Sequence, residues 1–294
     1  MSGSPTEQKS IVMPWPGRER RGRPTLGNYL VAAGLLALFI WSYHGADIRL
    51  SELFSREGGG QILAYIKRLF PPDFSPAILQ QAFRGTIETF AISFLGTLMA
   101  AVIGFSVVFF ASRNLMYSGL LYEMEPGEWW KRALRLVPYV SAKSLLNILR
   151  TIPEMVWALI FVFIVGLGPF PGMLALGVHT GGVLGKLFGE VLEDVDHQPI
   201  ESLQSTGANR MQILFYGIVP QVLPQFISYT LYRWEVNIRV AAVLGFVGAG
   251  GLGQRIHIAI SLFLENQLLT YLIFIYVLVT IVDYLSAYLR RKAI

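Results

Sequence analysis

Six stretches of mostly apolar residues recur along the chain, from Leu26 to Tyr43, Thr86 to Phe110, Leu145 to Leu167, Phe170 to Gly189, Phe226 to Phe246 and Leu268 to Leu289. Each approaches the roughly 20 residues that a helix needs to cross about 30 Å of hydrocarbon. In lipid the backbone polar groups must be satisfied within the segment, so the pattern predicts an all-α integral membrane protein of about six transmembrane helices. Composition agrees: 53% of the 294 residues are hydrophobic and only 15% are charged, too apolar for a soluble domain. The formal charge of +5 does not imply nucleic acid, because membrane proteins collect Lys and Arg in cytoplasmic loops. With no cysteine there is no disulfide, thiolate nucleophile or cysteine metal site. The four histidines, His44, His179, His197 and His257, lack ligand-type spacing, so no metal is expected.

The basic residues give an orientation. The tail with Lys9, Arg18, Arg20, Arg21 and Arg23, the segment from Arg113 to Arg150, and Arg290-Arg291-Lys292 fall on one side if there are six crossings, and that side is the cytoplasm. Residues 1–25 then form a cytoplasmic tail and 26–43 a retained anchor, since Tyr43-His44-Gly45-Ala46 is a poor cleavage site. Residues 44–85 lie outside, where Ile62, Leu63, Ile66, Leu69 and Phe70 mark an amphipathic helix ended by Pro71-Pro72. The core runs over 86–294. Within it, 116–135 reads as a cytoplasmic hairpin at headgroup level and 190–220 as a cytoplasmic loop. Both termini are cytoplasmic in this scheme.

Three features inside the spans invite interpretation. Gly177, Gly181, Gly185 and Gly189 are four apart, giving one helix face without side chains for close packing, within the subunit or across a dimer. Arg233, Glu235 and Arg239 lie in the fifth span, where a charge costs roughly 2.5 to 3.5 kcal/mol at the bilayer centre and therefore faces a partner or a polar path. Glu235 and Arg239 are placed to pair on one helix face, and Arg150 and Glu154 sit four apart around Pro153. Gly248, Gly250, Gly251 and Gly253 satisfy G-x-G-x-x-G. They follow a membrane helix instead of a strand, so they predict a backbone break or gate and no dinucleotide site.

The segment Pro199-Ile200-Glu201-Ser202-Leu203-Gln204-Ser205-Thr206-Gly207-Ala208-Asn209-Arg210, running on to Gly217-Ile218-Val219-Pro220, reads as a short helix, a glycine turn and a second helix. It resembles the EAA loop of ATP-binding cassette (ABC) importer permeases. Glu201, Gly207 and Pro220 keep the frame, whereas Ser202 and Leu203 replace the two alanines and Gly217 and Val219 depart further on. Phe70-Pro71-Pro72-Asp73-Phe74-Ser75, Gly166-Leu167-Gly168-Pro169-Phe170, Tyr229-Thr230-Leu231-Tyr232-Arg233 and Val243 through Gly253 are similar to the permeases of phosphonate importers, with phosphite, phosphate and methionine permeases sharing parts of the pattern.

This resemblance implies a type I ABC importer permease (MetI-like) fold. It also implies a second permease copy as a homodimer, two ATPase subunits, and a periplasmic or lipid-anchored substrate-binding protein. Glu201, Ser202, Leu203, Gly207 and Pro220 would belong to the ATPase-coupling loop. Arg233, Glu235, Arg239, Arg150 and Glu154 would border the path of a phosphonate anion. No Walker A motif exists in the chain: Gly185-Lys186 has Thr180 and Leu187 where the motif needs Gly and Ser or Thr. The chain therefore needs no cofactor of its own, and ATP and Mg belong to the ATPase subunit. A membrane-embedded enzyme would need clustered acid, base or nucleophile within the spans. An ion-driven transporter would show inverted repeats. Neither pattern is present.

Overall fold

The computed structural model describes residues 26–46, 55–116 and 129–293. The tail at 1–25 and most of the hairpin expected over 116–135 lie outside these residues. Two compact units are formed, residues 1–63 and 64–294. The first holds α1 (Leu26–Gly45), an apolar helix with no buried residue of its own. It also holds the start of α2 (Arg56–Leu69), which stops just before the consecutive prolines 71 and 72.

The second unit is built on α3 (Pro76–Ala111) and α7 (Pro169–Glu193), which pack along their length because small residues on both faces let the backbones approach. A Cβ at Gly104 would fall 2.9 Å from the Gly185 nitrogen, and one at Gly96 would fall 2.8 Å from the Leu176 Cβ. Around the pair are α4 (Arg113–Met116), α5 (Trp129–Thr151), α6 (Glu154–Val165), α8 (Gln198–Ser205), α9 (Arg210–Gln212), α10 (Val219–Leu244), α11 (Gly251–Ser261) and α12 (Glu265–Ala293). Phe188 of α7 stacks on Phe226 of α10 at 4.0 Å between ring centroids, inside a core that includes Val108, Leu184, Leu192, Ile200 and Ile218.

The six expected crossings are redrawn. Among the described residues α1, α3 and α12 are continuous helices long and apolar enough to span, and two bent pairs bring the number to at most five. The segment expected over Leu145 to Leu167 is not one helix: α5 and α6 meet at 91°. Pro153 supplies the reason, since it lacks an amide hydrogen and disfavours helical geometry at Ile152. The carbonyl of Leu149, deprived of its helical donor at position 153, accepts instead from Trp157 Nε1 at 3.1 Å. The Phe170 to Gly189 segment lies within α7, which is long but too rich in glycine and polar residues to count as an apolar span. Its neighbours bury most of it, so its surface need not match lipid.

One buried polar clasp ties three helices. Thr180 Oγ1 of α7 donates to Asn237 Oδ1 of α10 at 3.1 Å, Asn237 Nδ2 donates to Thr97 Oγ1 of α3 at 2.9 Å, and Thr97 donates onward to the Ser93 carbonyl at 2.6 Å. All four residues are buried. Replacing Asn237 by Leu should cost about 1–3 kcal/mol, because Thr180 is left without its acceptor. The expected readout is a lowered unfolding midpoint of the detergent-purified protein, restored in part by adding Thr180→Val. No drop in the single variant would show that the clasp contributes nothing.

Candidate coupling loop and translocation path

Helix α8 begins where Asp196 Oδ1 accepts from the Gln198 amide at 3.1 Å and Pro199 occupies the first turn. It ends in a full Schellman motif: the Gly207 amide donates to the Gln204 carbonyl at 3.0 Å, and the Ala208 amide donates to the Leu203 carbonyl at 3.1 Å. This closure needs a left-handed residue, and Gly207 supplies it at φ +79°. Asn209 then caps the next turn in a reciprocal box with Gln212, at 2.9 and 2.8 Å. A π-helical turn, Ile213–Ile218, leads into α10, with Pro220 in its first turn.

The loop is held from below and open above. Ile200 is fully buried and Leu203 packs on the same core, with Gly217 admitting it: a Cβ at Gly217 would come within 3.0 Å of Leu203 Cδ1. Glu201, Ser202, Ser205 and Gly207 are exposed on the other side. Ser202 satisfies its hydroxyl locally, on the Gln198 carbonyl at 2.9 Å. Glu201 makes no ion pair among the described residues, so its carboxylate is available to a partner.

The charged residues of the spans separate into two groups. Arg239 reaches both oxygens of Asp283 on α12, at 2.8 and 2.7 Å, and touches Glu235 at 3.4 Å; Arg290 closes the set on Glu235 at 2.7 Å. Glu235 and Arg239 are thus part of a four-residue ion network joining α10 to α12. Arg233 lies on another face of α10. It is half-buried, its Nε has no hydrogen-bond partner among the described residues, and Glu154 is within its electrostatic reach. Arg150 turns back to Asn147, donating through Nε at 3.1 Å and Nη2 at 3.0 Å, so it does not pair with Glu154. Glu154 instead faces His179 of α7, with 3.4 Å between Oε2 and Nε2.

Arg239→Gln is therefore expected to weaken the α10–α12 contact while leaving uptake per assembled complex near wild type. A fall in uptake greater than the fall in assembled complex would return Arg239 to the path.

The glycines behave unequally. Gly177 and Gly181 face Met99 and Ile103 of α3, and Gly185 faces Leu146 of α5, all at 3.0 Å or less for an added Cβ, whereas Gly189 meets only Val108 at 3.8 Å. Gly182, outside the four-residue spacing, lies against the α5 backbone, its Cβ position 2.7 Å from the Arg150 nitrogen. The G-x-G-x-x-G segment is a true backbone break. A 3₁₀ turn, Gly245–Val247, ends α10, and Gly248, Gly250 and Gly251 take φ of +85°, +76° and +74°. The chain re-enters as α11 at 45°. Two side chains of α3 receive the freed amides: Glu88 Oε2 accepts from Gly251 at 3.1 Å and Thr89 Oγ1 from Leu252 at 2.8 Å. Opposite, the Gly248 carbonyl accepts from the Gly168 amide at 3.0 Å.

Sequence reasoning missed Asn237, His179, Glu88, Thr89 and the joining of Asp283 and Arg290 into one network. The signal for His179 was present: a proline break orphans carbonyls, and a polar residue on a neighbouring helix has to satisfy them.

Residues 119–294 match the family described as binding-protein-dependent transport system inner membrane component. Over 266 residues the chain is 36% identical to the phosphite transport system permease protein PtxC of Stutzerimonas stutzeri, covering 90% of this chain and 88% of that one. It is 46% identical over 122 residues to the cryptic phosphonate transport system permease protein PhnE2 of Escherichia coli (strain K12), 42% of this chain and 100% of the relative. Among solved structures, the inward-facing MetNI methionine ABC transporter superposes with a TM-score of 0.58 at 25% identity, over 75% of this chain and all of the other. With its bent helix pairs, small-residue packing and exposed Glu201 loop, the chain belongs to the binding-protein-dependent transport system inner membrane component family and is a transport permease subunit, not an enzyme.

Proposed function

We propose that this permease subunit carries a small phosphorus oxyanion, a phosphonate, into the cell, powered by a separate ATPase that hydrolyses Mg-bound ATP and supplied by a binding protein outside. The observation that carries this reading is the Glu201–Gly207 loop. It is anchored by Ile200 and Leu203, turned by a left-handed glycine, and presents on an exposed helix a carboxylate with no ion pair among the described residues. In this reading the loop and both termini face the cytoplasm and 44–85 faces outward. A second copy of the chain completes the path, and two ATPase subunits dock beneath. Arg233 and Glu154 border the path, where a half-buried guanidinium attracts a tetrahedral oxyanion weakly enough to let it pass. Gly248, Gly250, Gly251 and Gly253 supply the broken backbone of a gate. The likeness to the PtxC relative along most of both chains favours phosphite as a second substrate of the same chemistry.

The test is uptake of methylphosphonate and of phosphite by vesicles holding the permease, its ATPase and the binding protein. Arg233→Gln should lower uptake about tenfold, the size of one lost charge-assisted contact of roughly 1.4 kcal/mol or more. Uptake by the permease alone, without ATPase, would overturn the reading.

A further inference from the structure

Gly189 is the member of the glycine ladder that close packing does not explain. A Cβ there would meet only Val108, at 3.8 Å, so the glycine weakens its helix without admitting a close neighbour. What it gives is room. With Gly185 it lines a cavity of about 320 Å³ between α5 and α7, at the lower end of the roughly 300–1,000 Å³ of small-molecule sites. Sequence spacing explains the rest of the lining. Lys143, Asn147 and Arg150 fall at i, i+4 and i+7 on one face of α5, and Lys186, Glu190 and Glu193 do the same on α7, so two polar stripes meet above an apolar floor that includes Leu146.

The two carboxylates already hold donors. Glu190 pairs with Lys186 at 3.4 Å, and Glu193 Oε1 accepts from the Arg113 amide at 3.1 Å. The basic residues of α5 are held by neutral groups. Arg150 donates through Nε and Nη2 to the Asn147 amide oxygen, at 3.1 and 3.0 Å; its Nη1 donates to nothing and it makes no ion pair among the described residues. Lys143 donates to the Tyr139 hydroxyl at 2.7 Å. Three cations against two carboxylates leave the lining a formal charge of +1, and the guanidinium's planar fork of donors suits a phosphorus oxyanion. We propose that this cavity is an anion site that holds a phosphate-type group on Arg150 and Lys143. Asn147 fixes the guanidinium, and Gly189 keeps the space open. In the orientation proposed above, the cavity lies toward the cytoplasmic end of α7, where the same chemistry has two sources: a free phosphonate or phosphate, or the headgroup of an acidic phospholipid. The site involves neither Arg233 nor Glu154, so it stands whether or not those two border the path.

The experiment uses the full-length chain purified in detergent and freed of lipid. Methylphosphonate is titrated by calorimetry, and retention of phosphatidylglycerol against phosphatidylcholine is read by native mass spectrometry. Two variants remove the site in different ways. Arg150→Gln removes the charge while its amide can still donate to Asn147, and Gly189→Met fills the cavity while every charge stays. Either the affinity for methylphosphonate or the preference for phosphatidylglycerol should fall at least about tenfold in both, the size of one lost charge-assisted contact, with an unfolding midpoint within a few degrees of wild type. A fall in the first identifies the free oxyanion as the occupant, and a fall in the second identifies the headgroup. No binding of either probe by the wild type, no fall in either measurement, or a fall confined to one of two folded variants would overturn the inference. Should one variant yield no monodisperse protein, the other decides alone. These readouts are binding to the isolated chain, whereas the path is tested by uptake in Arg233→Gln, so either reading can fail without the other.

Discussion

Gly253→Ala should sharply lower the yield and the unfolding midpoint of the permease. The added Cβ would enter the space of the Ala242 carbonyl oxygen, with the Ala242 carbonyl carbon at 2.8 Å and Gly245 Cα at 3.1 Å. Gly245 is blocked in return by the backbone of Gly253 and Gln254. α10 and α11 fold back on each other here with only hydrogen atoms between their main chains. Overpacking costs about 1–3 kcal/mol when side chains can turn away. Here every obstacle is main chain, and relief requires shifting the Gly248–Gly251 break, which Glu88 and Thr89 hold from α3. The expected cost is at or above the top of that range, a large part of a stability of about 5–15 kcal/mol. Gly189→Ala is the control: only Val108 approaches, at 3.8 Å, and alanine favours a helix interior over glycine by about 1 kcal/mol. The measurement is the yield and unfolding midpoint of monodisperse protein in detergent. A wild-type midpoint for Gly253→Ala would mean that the two helices do not meet as described.

The apolar spans were legible because the bilayer imposes a length, so α1, α3 and α12 stand where the hydropathy places them. Two places were not legible for the same reason. Hydropathy sums residues without regard to backbone hydrogen bonds, so Leu145 to Leu167 scored as one span although Pro153 divides it. It also assumes that a helix meets lipid, and α7 meets protein instead: its glycines lower its hydropathy because α3 and α5 need the room. The helix, glycine turn and second helix of the Glu201 segment were readable, since Gly207 is a local requirement of a helix stop and local requirements leave local signatures. The partners of the charges were not. Arg239 with Asp283, 44 residues away, and Asn237 with Thr97, 140 residues away, are products of packing that spacing along one helix does not encode. The i to i+4 contact of Arg239 with Glu235 was legible, and at 3.4 Å it is the weaker half of what that arginine does.

Gly207→Trp should abolish coupled uptake in a protein that still folds. A non-glycine residue in left-handed geometry costs about 1–2 kcal/mol, and no atom lies within 4 Å of where its Cβ would be, so the indole extends away from the core. In the proposed complex that direction belongs to the ATPase. Gly207→Ala bears the same backbone strain without the bulk, and should retain most uptake. The pair thus separates a weakened turn from an obstructed contact. Glu201→Gln complements them: it leaves the exposed helix intact and removes only the charge, and loss of a charge-assisted contact in a desolvated interface costs about 2–5 kcal/mol, more than tenfold in affinity for the ATPase. The predicted signature is common to Gly207→Trp and Glu201→Gln: uptake below about a tenth of wild type, with an unfolding midpoint within a few degrees of it. Equal losses in Gly207→Ala and Gly207→Trp would assign the effect to the turn. Wild-type uptake in Glu201→Gln would show that the carboxylate, although without an ion pair among the described residues, is not the group the ATPase grips.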